Sequence, residues 1–513
     1  MATKPRTCYI TTPIYYPSGN LHLGHLYSTT LAWTLRNYKR AQGYDVKFLT
    51  GSDEHGQKIA QSAAKLGLDP QTYVDQQSAK FVDLWARFGI DYDYFWRTTA
   101  PAHKQSVGQI FSQLVAQEFI YKGVYRGLYS VSDEEFITEN QAIKIENAYY
   151  HPTSQHPLQV IEEESYFFRM DPFTQWLKTY ISQHPQWIYP AKIVRELTRN
   201  FLDQPLENLS VTRISFDWGI KIQQDPQHVI YVWLDALFNY VTALGFNLTK
   251  SAPDFQKYWT NGDEIIHVVG KEITRFHCIY WPIFLQALGL RLPTAILAHG
   301  WLITPEGKMS KSKNNVINPL DLLATFEAEV IKYYLVAKIS PKHDGVFSPE
   351  LLQTTYNSEL ANTIGNLINR TFAMVKKNFH QPLKYTASSD PNDLALVESI
   401  STKSAEFQKH LDHFEFDLGF GQMLALAKDL NKYIDLTLPW TLTTNLIRLE
   451  VILNLLLNGI YALATMLKVV MPQKMAKLQQ ALGVSDLSFA QIPQWTKFDH
   501  IVIGALEPLF ARR

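Results

Sequence analysis

Apolar positions in the first 115 residues fall into short runs separated by polar turns and by longer stretches of helical period. CYITTPIYY is a β-branched and aromatic run; PSGN follows, and then LHLGHLYSTTLAWTLRNYKRAQG at helical spacing. DVKFLTGSDEHG reads as a second strand ending in a polar loop, with a further helix beginning near Gln57. Strands that alternate with helices predict an α/β fold with a parallel, doubly wound sheet. Ligands of such sheets sit beyond the carboxyl ends of the strands, where the polar segments 13–25 and 51–56 fall.

The alternation stops over 116–225, which is rich in tyrosine and acidic residues and holds HPTSQHP at 151–157. This is the pattern of an inserted domain. The strand–helix pattern resumes at HVIYVWLDALFNY (228–240) and DEIIHVVGKEITRFHCIYWPIFLQALG (263–289), and TAILAHGWLI (294–303) reads as a strand entering the loop TPEGKMSKSKNNV. From 351 the leucines recur at three- and four-residue spacing, which predicts an all-α bundle with breaks at Gln381–Pro382 and Pro439–Trp440. The expected organisation is therefore 1–115 and 226–300 as two halves of the sheet domain, 116–225 as the insertion, 301–350 as a lysine-rich loop and connecting segment, and 351–513 as the bundle. One stretch, VILNLLLNGIYALATML between Glu450 and Lys468, is uncharged over 17 residues. It is at the lower limit for crossing a bilayer and carries Asn454, Asn458 and Gly459, so it is expected to be a buried bundle helix.

Composition narrows the picture. Apolar residues make up 46% of the 513 and charged residues 19%, enough to bury large cores and to exclude wholesale disorder. Lysine plus arginine equals aspartate plus glutamate at 48 each, and 351–513 holds 15 basic against 14 acidic residues, so no charge excess marks a polyanionic partner. Local patches can still grip nucleic acid. Two cysteines, Cys8 and Cys278, cannot build a disulfide framework or a four-thiolate metal site. The opening MATKPRTCYITTP has no apolar core of signal-peptide length, which points to a cytoplasmic protein.

Two motifs carry chemistry. In His22-Leu23-Gly24-His25, a helix beginning near Asn20 or Leu21 would put both imidazoles on one face of its first turn, at a terminus whose N–H groups and partial positive charge suit phosphate. Gly24 would let a flat ring lie against the backbone, and the two imidazoles could donate to phosphate oxygens as charge develops. In Lys308-Met309-Ser310-Lys311-Ser312, entered through Gly307, clustered lysines suit a mobile clamp on a pyrophosphate leaving group. Taken singly, each motif also fits an ordinary helix start or a solvated turn.

Together, HLGH after the first strand and KMSKS some 280 residues later resemble the paired signatures of class I aminoacyl-tRNA synthetases. TTPIYYPSGNLHLGH, GSDEHG (51–56), YVWLDALFNY (231–240) and GKEITRFHCIYWP (270–282) resemble the blocks of the methionyl-tRNA synthetase family, and the likeness runs through most of the chain. It implies a Rossmann-type catalytic domain split by a connective-peptide insertion, then a stem-contact segment and an α-helical anticodon-binding domain. It carries the family's methionine pocket onto Pro13, Ile14, Tyr16, Asp53, Trp233, Ala236, Leu237, Tyr240, Ile273, Phe276, His277 and Trp281. The residue chemistry agrees: a thioether is polarizable and favours aromatic edges, the hydroxyl of Tyr16 and a ring N–H of His277 could reach its sulfur, and Asp53 would pair with the ammonium group. Such a polar handle discriminates against leucine or isoleucine better than pocket size does. Asp235 fits either a ligand or a structural partner.

For ATP with Mg²⁺, the resemblance implies His22, Gly24 and His25 around phosphates and adenine, Gly270 and Glu272 at the ribose, and His299, Gly300 and Trp301 near the adenine. Lys308 and Lys311 would act on the triphosphate, Lys311 as the transition-state contact, with Ser310 and Ser312 as loop architecture. The family usually has aspartate where Glu272 stands. Asn366 and Arg370, four apart in IGNLINRTF, and Trp440 after Pro439 resemble anticodon-reading segments, with Trp440 as the stacking platform and the other two reading base edges.

The insertion departs from many relatives, which carry paired Cys-x-x-Cys after a GLY tripeptide. Here Gly127-Leu128-Tyr129 is followed by Ser130, Val131, Ser132 and Asp133, so no zinc is expected; His151, His156 and Asp133 are the residues left that could ligate a metal. The chain ends at ALEPLFARR without the further tRNA-binding barrel of some relatives, which suggests a monomer with modest, salt-dependent affinity for tRNA(Met) and no membrane partner. Two alternatives stand beside this reading. A class I synthetase for another apolar amino acid would share both motifs, but usually has a much larger, editing insertion. A non-catalytic tRNA-binding descendant would have no use for intact His22, His25, Lys308, Lys311 and Asp53.

Overall fold

A computed structural model describes residues 5–17, 21–132, 135–137, 142–146, 148–152, 154–308 and 316–511. The chain divides into two compact units, one formed by 1–21 with 45–298 and the other by 22–44 with 299–513.

The first unit is built on a six-stranded sheet. Its strands are β1 (Thr7–Tyr15), β2 (Asp45–Ser52), β3 (Tyr94–Arg97), β4 (Ile188–Tyr189), β5 (Glu264–Gly270) and β6 (Ala295–His299), in the order β3-β2-β1-β5-β6-β4. The pairs β1–β2, β1–β5, β2–β3 and β6–β4 are parallel. β1 is central and buried along most of its length, as its unbroken β-branched and aromatic run requires of a strand covered on both faces. Its register against β2 shifts between Thr11 and Ile14, at Pro13, which has no N–H for the ladder. The edge strand β4 comes from inside the 116–225 stretch. The rest of that stretch holds a long antiparallel pair, Ile120–Ser130 with Gln159–Phe168, flanked by short strands, and the helices Thr174–Gln183 and Lys192–Leu197. A core of leucine, isoleucine and aromatic side chains joins β1, β2, β5 and the helices Pro101–Ala116 and Trp281–Ala287.

The second unit is helical. Helices Ala328–Ala337, Asn366–Asn378, Pro391–Asp412, Phe416–Thr437, Leu446–Leu467 and Pro472–Leu482 pack as a bundle, and Leu23–Ala41 joins them rather than the unit of the strands that flank it in sequence. Its Trp33 ring lies 3.8 Å from the Lys332 ammonium, its Tyr38 hydroxyl donates to the Gln408 carbonyl at 2.9 Å, and its Asn37 amide donates to the Val469 carbonyl at 2.9 Å. Leu446–Leu467 is long and apolar enough to cross a membrane, yet its residues from Val451 to Leu467 are buried inside this unit. Its two asparagines are used there: Asn454 donates to the Leu383 carbonyl at 2.8 Å, and Asn458 to the Trp495 carbonyl at 3.2 Å.

Candidate active site

The helix after β1 starts at Leu23, two or three residues after the expected start near Asn20 or Leu21, with an imidazole as its cap. His22 is the N-cap and His25 the third helical residue. The Gly24 N–H donates to His22 Nδ1 at 3.1 Å, and the His22 N–H donates to His25 Nδ1 at 3.2 Å, a capping box made from two histidines. Both Nδ1 atoms accept, so each neutral ring carries its proton on Nε2. The ring centroids are 3.9 Å apart, with the planes tilted by 30°. Burial holds the His25 pKa well below its usual value, and the neighbouring His22 lowers it further, so His25 is a neutral donor. A side chain on Gly24 would strike the His22 ring, so the glycine makes room for the imidazole that caps its helix.

His299, Gly300 and Trp301 belong to the same unit. His299 Nδ1 donates to the Gly300 carbonyl at 2.8 Å, so its Nε2, 2.7 Å from Ser28 Oγ on the HLGH helix, is the acceptor. A Cβ on Gly300 would collide with the His343 carbonyl, and at this glycine the run 294–303 divides into β6 and Leu302–Thr304. The Trp301 N–H donates to Asp344 at 2.9 Å. Lys308 closes the two-residue strand Gly307–Lys308, paired with Ile303. Met309, Ser310, Lys311 and Ser312 lie outside the described residues. Further along, the Ile317 carbonyl accepts from the Leu23 N–H at the helix start, at 3.1 Å.

In the first unit, the polar loop after β2 is buried rather than solvated. Glu54 is wholly enclosed and accepts from Ser52 (2.5 Å), Ser78, Arg97 Nε (2.6 Å) and Thr99 (2.5 Å). Asp53 is only 7% exposed, and its N–H donates to the Tyr15 carbonyl at 3.0 Å. The predicted pocket residues Leu237, Tyr240, Phe276 and Trp281 sit in one core cluster, with Trp233 and Ile273 packed against it. Trp233 and Phe276 stack flush, centroids 3.5 Å apart. Ala236 is buried on the helix Val232–Leu237. Tyr16 packs elsewhere, with Trp218 and Leu68 against Ile59, Ala63, Tyr73 and Val74, and the Lys58 ammonium lies 5.7 Å from its ring. Pro13 and Ile14 are half-buried at the bulge of β1. Gly270 ends β5, with the Glu272 carboxylate folded back over it where a Cβ would stand.

The pocket's histidines have fixed tautomers. His277 Nδ1 donates to the Ile273 carbonyl at 2.9 Å, so its Nε2 accepts the Tyr240 O–H at 2.7 Å. This corrects the expectation that a His277 N–H meets a thioether: that proton is already given to the main chain. His267, in mid-strand β5, accepts from Trp281 Nε1 at 3.1 Å and so donates from Nδ1 to Thr11 at 2.8 Å, while its ring stacks on Tyr240 at 4.2 Å. Burial lowers the His277 pKa to about 4, and burial followed by the nearby His277 lowers that of His267 well below the usual value. The Tyr240 hydroxyl is pushed up, by burial first and also by the charges of Tyr15 and Asp53.

These shifts carry a sign. A depressed histidine pKa contributes stability that is complete above the unfolded value near 6.5 and is lost as pH falls toward the folded value. His277 alone accounts for on the order of 3 kcal/mol over that window, about 2 kcal/mol of it lost by pH 5. The urea midpoint should therefore drop between pH 7 and pH 5, and His277→Gln should flatten that slope. A midpoint independent of pH would contradict the neutral, buried assignment.

In the insertion, Ser130 is buried, and the Ser132 carbonyl accepts from Lys58 at 3.2 Å. His151 Nδ1 accepts from the Ser154 N–H at 3.1 Å, a turn contact, and Asp133 lies outside the described residues. Glu164, Asp225 and His228 could group around a metal ion, but the Lys122 ammonium already bridges the two carboxylates at 2.7 and 2.8 Å. In the bundle, the Arg370 guanidinium lies 5.5 Å from the Trp440 ring, and Trp440 is 48% exposed. Leu438, at φ 44°, holds a left-handed turn that a branched side chain disfavours and that sends the chain into Pro439–Thr441. Asn366 opens its helix in an exposed position.

Three polar residues were not singled out by the sequence: His55, His103 and Arg213, all buried. Arg213 sits 4.3 Å from the Tyr231 ring and 5.4 Å from the Tyr129 ring, with Glu163 at 3.5 Å. His267 was also passed over. Its signal was present, a histidine alone inside the strand run IIHVV, where a polar group must find an internal partner.

A parallel sheet whose first strand leads to a helix capped within HLGH, in a chain that carries KMSKS some 280 residues later, is the arrangement of a class I tRNA synthetase. The chain belongs to the tRNA synthetases class I (M), whose family model matches residues 8–372. It is 54% identical over 507 residues to the methionine–tRNA ligase of Mycoplasmopsis pulmonis, covering 99% of both chains. It is 42% identical to the methionine–tRNA ligase of Lactococcus lactis, over 99% of this chain and 78% of that one. Among solved structures it superposes on Mycobacterium tuberculosis methionyl-tRNA synthetase in complex with methionyl-adenylate with a TM-score of 0.91, at 31% identity, over 99% of this chain and 100% of the other.

Proposed function

We propose that the chain activates methionine with ATP, releasing pyrophosphate, and transfers the methionyl group from methionyl-adenylate to the 3′ end of tRNA(Met), initiator tRNA included. The observation that carries this is the aromatic pocket of Trp233, Tyr240, Phe276 and Trp281, with its hydroxyl–imidazole pair, in the same unit as the buried Asp53 carboxylate. A pocket of that kind takes a soft, unbranched thioether, and the carboxylate takes the ammonium group of the same molecule.

The methionine carboxylate attacks the α-phosphorus of ATP in line; the bond to the β,γ-pyrophosphate breaks and that group leaves. A ribose hydroxyl of the terminal adenosine then attacks the carbonyl, and AMP leaves. Mg²⁺ accompanies ATP and neutralises phosphate charge. No covalent enzyme nucleophile is needed, so the protein works by positioning and by donors aimed at developing charge. The Nε2–H groups of His22 and His25 are such donors, and Lys308 and Lys311 take the leaving pyrophosphate. Gly270 and Glu272 are assigned to the ribose and His299, Gly300 and Trp301 to the adenine. Every group named is on one chain, so the reading needs no second copy, and its substrates belong to the cytoplasm.

Amino-acid-dependent ATP–pyrophosphate exchange against all twenty amino acids tests the first step without tRNA. Methionine alone should support it. Exchange with another amino acid would overturn the pocket assignment, and none at all from folded protein with Mg²⁺ would favour a non-catalytic tRNA-binding role.

Asn366, Arg370 and Trp440 are assigned to the anticodon. Base stacking on an aromatic contributes roughly 1–3 kcal/mol, so Trp440→Ala should lower kcat/KM for tRNA by about 10- to 100-fold. Pyrophosphate exchange should be unchanged, and a loss of exchange in the same variant would contradict the assignment.

A further inference from the structure

We propose that Asp235 is a positioning residue for methionine activation: it clamps the loop bearing Asp53 to the helix bearing Trp233, Ala236 and Leu237. Asp235 lies on the helix Val232–Leu237 and is wholly buried. Its Oδ2 is 2.6 Å from His55 Nδ1, on the loop two residues past Asp53; its Oδ1 is 2.7 Å from His103 Nε2, on the helix Pro101–Ala116. Neither histidine has more than a trace of exposure, so the trio meets no substrate and performs no proton transfer. Its carboxylate is nonetheless charged: burial pushes the pKa up, and His55 and His103 outweigh that and hold it below the usual carboxylate range.

The clamp is tied on every side. His103 Nδ1 is 2.7 Å from Thr242 Oγ1, which also accepts from Trp96 Nε1 at 3.1 Å. The His55 ring meets Trp218 edge-on at 5.6 Å, Trp218 Nε1 donates to the Glu54 carbonyl at 2.6 Å, and the Gly56 N–H donates to the Trp218 carbonyl at 3.2 Å. Asp53 is therefore followed directly by two anchored residues, Glu54 fixed to Ser52, Ser78, Arg97 and Thr99, and His55 fixed to Asp235. Of these anchors, only the His55–Asp235 contact ends on the helix that lines the side-chain pocket. It sets the distance between the point that takes an ammonium group and the point that takes a thioether. A substrate bearing both groups is measured by that distance; one lacking the ammonium is not.

The inference rests on the assignment of Asp53 to the ammonium group, and the test separates the two. Full-length Asp235→Asn, His55→Ala and His55→Asn are compared with wild type in methionine-dependent exchange and in inhibition of it by 4-(methylthio)butanoate, the substrate without its amino group. Misplacing a reacting group by about an ångström costs up to about 100-fold, so Asp235→Asn and His55→Ala should raise methionine KM by roughly 10- to 100-fold. The inhibition constant of the deaminated analogue and the KM for ATP should stay within about twofold. His55→Asn, whose amide can replace the Nδ1 donor, should recover most of the loss. Coupled residues act non-additively: in an Asp53→Ala background, Asp235→Asn should add less than about twofold. If the Asp235 variant does not fold, the two His55 variants decide. Equal weakening of methionine and analogue, or no recovery in His55→Asn, overturns the positioning role. A wild-type enzyme that exchanges no methionine overturns the activity itself.

Discussion

Asp53→Ala should lower kcat/KM for methionine by roughly 10²- to 10³-fold, the largest loss expected from any single pocket substitution, because removing one partner of a buried ion pair costs about 3–5 kcal/mol. The carboxylate lies at the end of β2, almost fully out of water, where a compensating solvent dipole cannot reach the ammonium group once it is bound. Most of the loss should appear in KM, with the KM for ATP little changed. Asp53→Asn should recover little, since an amide keeps the shape but not the charge. A change under about tenfold in pyrophosphate exchange would remove Asp53 from the amino-acid site.

His25→Ala should act on the other side of the reaction. Its ring is half-buried and neutral, with Nδ1 accepting from the His22 N–H, and its Nε2–H is the donor assigned to a phosphate oxygen as charge develops. Loss of one such donor costs roughly 10²- to 10³-fold in rate. Single-turnover adenylate formation should fall by that factor, while the methionine Kd, read from tryptophan fluorescence, should stay within about twofold. His25→Asn, which can restore a donor but not its reach, should be intermediate. Because the pKa is already well below neutrality, the wild-type rate should show no step between pH 6 and 8 attributable to this ring. Equal losses in binding and rate would make His25 a structural cap and nothing more.

How far the site was legible in the sequence follows from what each signal depends on. Strand β1, the helix after it and strand β2 were readable because apolar period is a local property, and HLGH and KMSKS because their order along the chain is. The helix starts two or three residues after the expected position because histidine is not an expected cap, and here the ring nitrogen, not a hydroxyl or carboxylate, takes the Gly24 N–H. GSDEHG read as a polar loop because its residues are polar; only the fold supplies Ser78, Arg97 and Asp235, which make burying it cheaper than solvating it. The tautomers of His277 and His267, which decide what the pocket can offer a sulfur atom, depend on one carbonyl and one indole brought together by β5 and the turn after it. Tyr16 shares a motif with the pocket residues but packs with Trp218, a neighbour some 200 residues away.

The helix Leu23–Ala41 lies between two strands of the first unit but belongs to the second, and this has a consequence for synthesis. Its partners within its own unit, Lys332, Gln408 and Val469, leave the ribosome roughly 300–430 residues later, which at about 5–20 residues per second is a delay of about 15–90 s. The helix is made among the first segments and completed among the last. A nascent chain carrying Trp33 and Tyr38 through that interval has to keep them from other chains, so arrest peptides placed after residue 300 and after residue 490 should capture an aggregation-prone and a protected form of the same protein. For the same reason, a fragment beginning at residue 299 lacks a piece of its own core and cannot stand in for the second unit.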